Sequence, residues 1–118
     1  MKYNKGATAE RSIIHFLSEE GYQCLRSAGS KGAYDIVAFN NHVVRFIQSK
    51  YQTVVALPAK SDRKKTFLPA VPTCATKELW VFSTGMRCVV VYTTNIDIEY
   101  PTGVQLCYVD NKQIQRLS

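Results

Sequence analysis

Two apolar runs separated by Asn40-Asn41 constrain this chain more than any other feature. Tyr34 to Phe39 and His42 to Tyr51 are rich in β-branched and aromatic residues. A two-residue asparagine turn suits the positive φ of a tight hairpin between them. In the second run the strand period of two puts His42, Val44, Phe46, Gln48 and Lys50 on one face. Gln48 and Lys50 therefore project side by side, and the partner strand brings Asp35 alongside.

The segments before the hairpin read clearly. Residues 8 to 20 form a helix with Ile13, Ile14 and Leu17 as its apolar stripe, Thr8 as a candidate N-cap and Gly21 as its stop. Glu10 lies three, four and seven residues before those apolar positions and so shares their inward face. A first-turn glutamate favoured by the helix dipole is the plain alternative. Tyr22 to Arg26 make a short strand. Ser27 to Gly32 is a polar loop able to approach a phosphate or simply to link two strands.

Residues 52 to 76 are harder to read. Lys60, Arg63, Lys64 and Lys65 cluster on a helix over Ser61 to Leu68, bounded by Pro58, Pro69 and Pro72. Such a run is either a solvated face or a contact for a DNA backbone. Leu79 to Ser83 and Cys88 to Thr93 are strands about a turn at Gly85. Asp97 to Val109 contains extended pieces around Pro101-Thr-Gly103.

Bulk properties narrow the function classes. The 118 residues suffice for one domain spanning 1–118, and 46% hydrophobic content excludes disorder. No run of about 18 apolar residues offers a membrane span, and the N-terminal residues lack the apolar core of a signal peptide. A cytoplasmic location is expected, in the host cytoplasm if the source is a virus. Cys24, Cys74, Cys88 and Cys107 are scattered, so reduced, mostly packed thiols are expected. Net charge +6 and a pI near 9.3 fit a polyanionic partner, nucleic acid first, although many small basic domains bind none. His15 and His42 lack acid or cysteine neighbours. Trp80 and Tyr3, Tyr22, Tyr34 and Tyr51 read as core or rim.

An acid on one strand and an alternating pair ending in lysine on the next is how many metal-dependent nucleases build their centre. The usual pair is Glu-x-Lys; here it is Gln48-x-Lys50. Magnesium, or manganese, takes oxygen ligands and keeps several waters. Asp35 would be the central ligand, Glu10 a second directly or through water, with the Ser49 carbonyl and the Gln48 amide oxygen completing the set. Lys50 would orient the attacking water or stabilise the pentacoordinate phosphate. Glutamine removes one negative charge, so weaker metal binding is expected. An ion pair between Asp35 and Lys50 is the structural alternative.

Lys5-Gly-Ala-Thr-Ala-Glu10-Arg11, Arg26-Ser-Ala-Gly-Ser30-Lys-Gly, Asp35-Ile-Val-Ala and Ile47-Gln-Ser-Lys50 resemble the archaeal Holliday-junction resolvases of the PD-(D/E)xK nuclease superfamily. Met86 to Tyr92 and Pro101 to Leu106 resemble that family's last strands. The resemblance implies an α/β, restriction-endonuclease-like core with a central mixed β-sheet flanked by helices. It also implies a homodimer, magnesium-dependent nicking of branched four-way DNA, and a place in DNA recombination and repair. It assigns Glu10, Asp35 and Lys50 to the catalytic centre, with Gln48 where a second metal-binding acid stands. Arg11 and Arg26 match basic residues near the scissile phosphate, and Ser30, ahead of Ser27, matches a loop serine. Lys31 and the 60–65 cluster would add backbone contacts. Two departures are Gln48 and the proline-broken segment 58–72, where the family has a helix at the dimer face. A Gln-x-Lys pair also occurs in Mrr-like restriction endonucleases of the superfamily.

Two further readings stand beside a junction resolvase. One is a restriction-like or repair nuclease on duplex DNA. The other is a DNA-binding homologue with weakened catalysis, which Gln48 favours and the joint presence of Glu10, Asp35 and Lys50 opposes.

Overall fold

The computed structural model describes residues 5–27, 34–52, 58–83, 88–93, 103–109 and 113–116. They form helix α1 (Lys5–Glu19), strands β1 (Gln23–Arg26), β2 (Ile36–Phe39) and β3 (Val44–Gln52), helix α2 (Lys60–Phe67), and strands β4 (Ala75–Ser83), β5 (Cys88–Thr93), β6 (Val104–Val109) and β7 (Gln113–Gln115). All seven strands belong to one sheet whose spatial order follows the chain order. Each neighbouring pair is antiparallel except β3–β4, which is parallel and is crossed over by α2. The α/β class and the mixed sheet agree with expectation. No helix among the described residues is long and apolar enough to cross a membrane.

Helix α1 begins three residues earlier than its sequence signals suggest, so Thr8 lies within it and does not cap it. The Thr8 carbonyl accepts the Ser12 hydroxyl at 2.9 Å. Its end is as expected. Gly21 has φ +95°, and the Tyr22 and Gly21 amides donate to the carbonyls of Leu17 and Ser18 at 3.0 and 3.1 Å. These are the paired bonds of a Schellman stop, and only glycine takes that φ without strain.

The two faces of the sheet carry different cores. Ala9, Ile13 and Leu17 of α1 pack on Ile36, Ala38, Ile47, Trp80, Phe82, Val89, Leu106, Tyr108 and Ile114. Phe67 of α2 packs with Leu79, Val81 and Tyr92. Leu79 and Val81 alternate with Trp80 and Phe82 along β4, so α1 and α2 lie on opposite faces. Helix α1 also packs on β7, reaching strands at both ends of the sheet order.

Several expectations are corrected. The hairpin loop is Asn41-His42, one position beyond Asn40-Asn41. The Asn40 amide donates to the Val43 carbonyl at 3.1 Å, while Asn40 Oδ1 accepts the amides of His42 and Val43 at 2.8 and 2.9 Å. His42 is therefore an exposed turn residue and not part of the β3 face. Strand β4 starts at Ala75, four residues before Leu79. Its polar opening is held by Glu78, buried and accepting from Arg45 (2.7 and 2.8 Å), Thr76 (2.8 Å) and the Trp80 indole (2.9 Å). All four cysteines are free; Cys88 is buried, Cys24 and Cys107 are half-buried, and Cys74 is exposed. Residues 97–102 and Tyr3 lie outside the described residues.

Candidate active site

The hairpin register decides which groups meet. Ile36 pairs with Ile47 and Val37 with Phe46, so continuing the ladder by one residue puts Asp35 opposite Gln48. Had the loop been Asn40-Asn41, Asp35 would have faced Phe46 instead. Backbone bonds clamp Asp35 between two strands: its amide donates to the Ile47 carbonyl and its carbonyl accepts the Ser27 amide, both at 2.8 Å. Its side chain is fixed as well, with Oδ2 accepting the Ser49 amide at 2.9 Å. Burial pushes the Asp35 carboxyl above its usual range; the Ser49 amide offsets part of this, the Glu10 charge adds to it, and Lys65 and Arg26 oppose it.

Glu10 comes from the first half of α1. Its side chain is 20% exposed and accepts Arg26 Nε at 2.9 Å. Arg26 closes β1, so the arginine expected at a phosphate reaches the acid expected at a metal. Glu10, Arg26, Asp35 and Ser49 thus come near one another where α1, β1, β2 and β3 converge, and Gln48 joins them through its contact with the Ser49 carbonyl. Lys65 of α2 is close enough for its charge to act on Asp35.

Gln48 carries the least satisfied atom of the group. Its amide nitrogen makes only a long bond, 3.4 Å, to the Ser49 carbonyl, and its buried Oε1 has no hydrogen-bond partner. A buried acceptor left unpaired costs about 1–3 kcal/mol. Turning the amide over would set its oxygen against the Ser49 carbonyl and leave the NH₂ unpaired. A buried oxygen left unpaired, one residue from the Ser49 amide that holds Asp35, is the kind of donor a hard divalent cation takes. No three His, Cys, Asp or Glu side chains gather as a metal group among the described residues. The fit is therefore to a cation held by few charges, through one carboxylate, amide and carbonyl oxygens and water.

Lys50 shares the Gln48 face of β3. Its ammonium pairs with Asp62 Oδ2 of α2 at 3.6 Å, not with Asp35. Sequence reading gave Asp62 no role. An acid in the first turn of a helix is ordinary, and nothing local announces a partner twelve residues earlier on a strand. Helix α2 is tied down beside Asp35, where the Tyr34 hydroxyl donates to the Thr66 carbonyl at 2.7 Å.

The expected DNA contacts divide. Arg11, Ser27, Lys60, Lys64 and Lys65 are exposed, as a backbone contact requires. Arg63 is corrected: it is 8% exposed, and its Nε and Nη1 are buried without partners. It belongs to the layer between α2 and the sheet, near Tyr92. Ser30 and Lys31 lie outside the described residues.

The family model described as archaeal Holliday junction resolvase (Hjc) matches residues 1–68. The crossover junction endodeoxyribonuclease Hjc of Methanocaldococcus jannaschii is 41% identical over 49 residues, 42% of this chain and 36% of that protein. The chain thus aligns with little more than a third of this curated relative's length. Among solved structures, Archaeoglobus fulgidus Hjc, a Holliday junction resolvase, superposes with TM-score 0.59 at 17% identity, covering 88% of this chain and 84% of that one. A bacterial homing endonuclease, I-Ssp6803I, superposes with TM-score 0.52 at 15% identity, covering 92% and 80%. At these identities the structures speak for the fold, a restriction-endonuclease-like α/β core.

Proposed function

The chain belongs to the archaeal Holliday junction resolvase family, and from that membership we propose that it is a structure-selective endonuclease that nicks four-way DNA junctions with magnesium as cofactor. The observation that carries this reading is the buried Gln48 amide, its Oε1 unpaired and its Nε2 3.4 Å from the Ser49 carbonyl, on the strand whose Ser49 amide holds Asp35 and which also bears Lys50.

A bound divalent ion supplies charge for the phosphate and lowers the pKa of water. The chain's own residues do the rest. Asp35 is held by the Ser49 amide with its carboxylate turned to the site, and Glu10 offers a second carboxylate once Arg26 leaves it for a DNA phosphate. Lys50 supplies a positive charge for the negative charge that builds on the phosphoryl oxygens. Arg11, Arg26, Lys60, Lys64 and Lys65 contribute sequence-independent backbone contacts, so affinity falls steeply with salt. Residues 1–118 act as one nuclease unit with one centre. Two symmetric nicks then require two copies, which supports a homodimer and an intracellular site of action where branched DNA arises.

A weakened DNA-binding homologue is favoured by one specific observation: Glu10 and Lys50 are both held in ion pairs, with Arg26 and Asp62. A labelled four-way junction and a matched linear duplex, each with magnesium, manganese or chelator, separate the readings. Paired nicks in the junction alone, lost with Asp35→Ala, support the resolvase. Cutting of both substrates alike points to a duplex nuclease, and tight junction binding without cutting in either metal points to the binding protein.

A further inference from the structure

The Gln48-x-Lys50 pair leaves its lysine without the neighbouring carboxylate that a Glu-x-Lys pair would supply on the same strand face. Lys50 instead meets a carboxylate from another element: Asp62 Oδ2 lies 3.6 Å from its ammonium. We propose that Asp62 is a positioning residue for Lys50, holding the ammonium over the Gln48 face of β3 and supplying from a helix the negative charge that the glutamine lacks. This rests on the nuclease reading above.

Three observations make Asp62 a fixed point. Thr66, one turn on, is buried, donates its hydroxyl to the Asp62 carbonyl at 3.0 Å, and gives its own carbonyl to the Tyr34 hydroxyl at 2.7 Å. Phe67 is buried against Leu79 and Val81. Lys77 Nζ donates to the carbonyls of Phe67 and Pro69 at the end of the helix. The backbone bearing Asp62 is thus anchored to Tyr34, the residue before Asp35, and to the start of β4. A lysine on a four-carbon stem has much rotamer freedom to lose, and a pre-set carboxylate reduces what is lost at the moment of reaction.

Stability is a weak alternative reason for the contact. The two side chains are 41% and 28% exposed, and pairs that wet contribute little. Asp62 also sits in the first turn of α2, where any acid gains from the helix dipole. That role would be the same whether or not Lys50 were present, and it makes no demand on reaction rate.

The test is single-turnover cutting of a labelled four-way junction in magnesium by wild type, Asp62→Asn and Asp62→Glu, with Lys50→Met as the floor and melting curves beside each. The expected result is a rate constant lowered about 10- to 100-fold in Asp62→Asn. Junction affinity and melting temperature should stay near wild type, with most of the rate recovered in Asp62→Glu. Cutting by Asp62→Asn at the wild-type rate overturns the proposal while leaving the nuclease reading intact. A lost rate that Asp62→Glu does not recover also overturns it, because a structural role would behave so. Wild type that binds the junction and never cuts removes the nuclease reading and this proposal with it, and its own lane shows which has failed.

Discussion

Arg26 Nε donates to Glu10 Oε1 at 2.9 Å, joining the end of β1 to the first half of α1 at the edge of the candidate centre. The pair places a cation in reserve. On the proposed function, a DNA phosphate would compete for Arg26 and release Glu10. Arg26→Ala should weaken junction binding and reduce the slope of log affinity against log salt by about one. Binding titrations at several salt concentrations measure both; an unchanged slope would place Arg26 away from the phosphates.

Asp35 gives a pH-dependent prediction. Its carboxyl is raised above the usual range chiefly by burial. A raised folded pKa means that the folded protein holds this proton more tightly than the unfolded chain does. That stabilisation is complete below the ordinary value, about 3.9, and is lost as pH rises through the folded value. At neutral pH the ionised group is a cost. Asp35→Asn in chelator should therefore melt at or above the wild-type temperature at pH 7, the gap narrowing toward pH 4, while in magnesium its cutting should be lost. A clear drop in melting temperature at pH 7 would contradict this.

Gln48→Glu tests the unpaired oxygen. Without metal the new carboxylate would be a buried charge with no partner, costing about 3–5 kcal/mol. Magnesium should restore that stability and raise the melting temperature more than it does in wild type. Cutting at limiting magnesium should equal or exceed wild type. A variant whose melting ignores magnesium would argue against a cation at this position.

The Arg45–Glu78 pair lies away from the centre and should behave as structure. Glu78 is 3% exposed and Arg45 18%, with a two-pronged contact at 2.7 and 2.8 Å. Arg45→Met strands a buried carboxylate and should cost about 3–5 kcal/mol in denaturant unfolding. A loss under 1 kcal/mol would mean that Thr76 and Trp80 satisfy Glu78 alone.

The first fifty residues were legible because their signals are local. A periodic apolar stripe and Gly21 mark α1, and two alternating runs mark the hairpin. The hairpin register slipped by two because Asn40 uses its side chain to bind the next amides, joining the ladder end rather than the loop. Since the slip is even, the faces were read correctly and only the partner of Asp35 changed. Strand β4 was half hidden because its opening residues are polar and their satisfaction comes from Arg45 on another strand. Strand β7 offers one apolar residue, Ile114, between two glutamines, too little for a periodic signal. Arg63 and Asp62 share a short, charge-rich helix in which sequence cannot say which residue faces the sheet. The nearness of Asp35 to the Gln48-Ser49 stretch was readable from the hairpin; the ion pairs that hold Glu10 and Lys50 were not, because they join separate elements.

Helix α1 carries Glu10 yet packs on β7, and Arg116 just beyond that strand grips Glu20 at 2.6 Å. Until the ribosome has delivered residues 113–116, the inner face of α1 lacks part of its cover. A partly synthesised chain therefore has its hairpin complete while α1 is still short of part of its apolar cover. In the order of synthesis the first helix is therefore among the last elements to be fully seated, and that seating waits for the strand at 113–115.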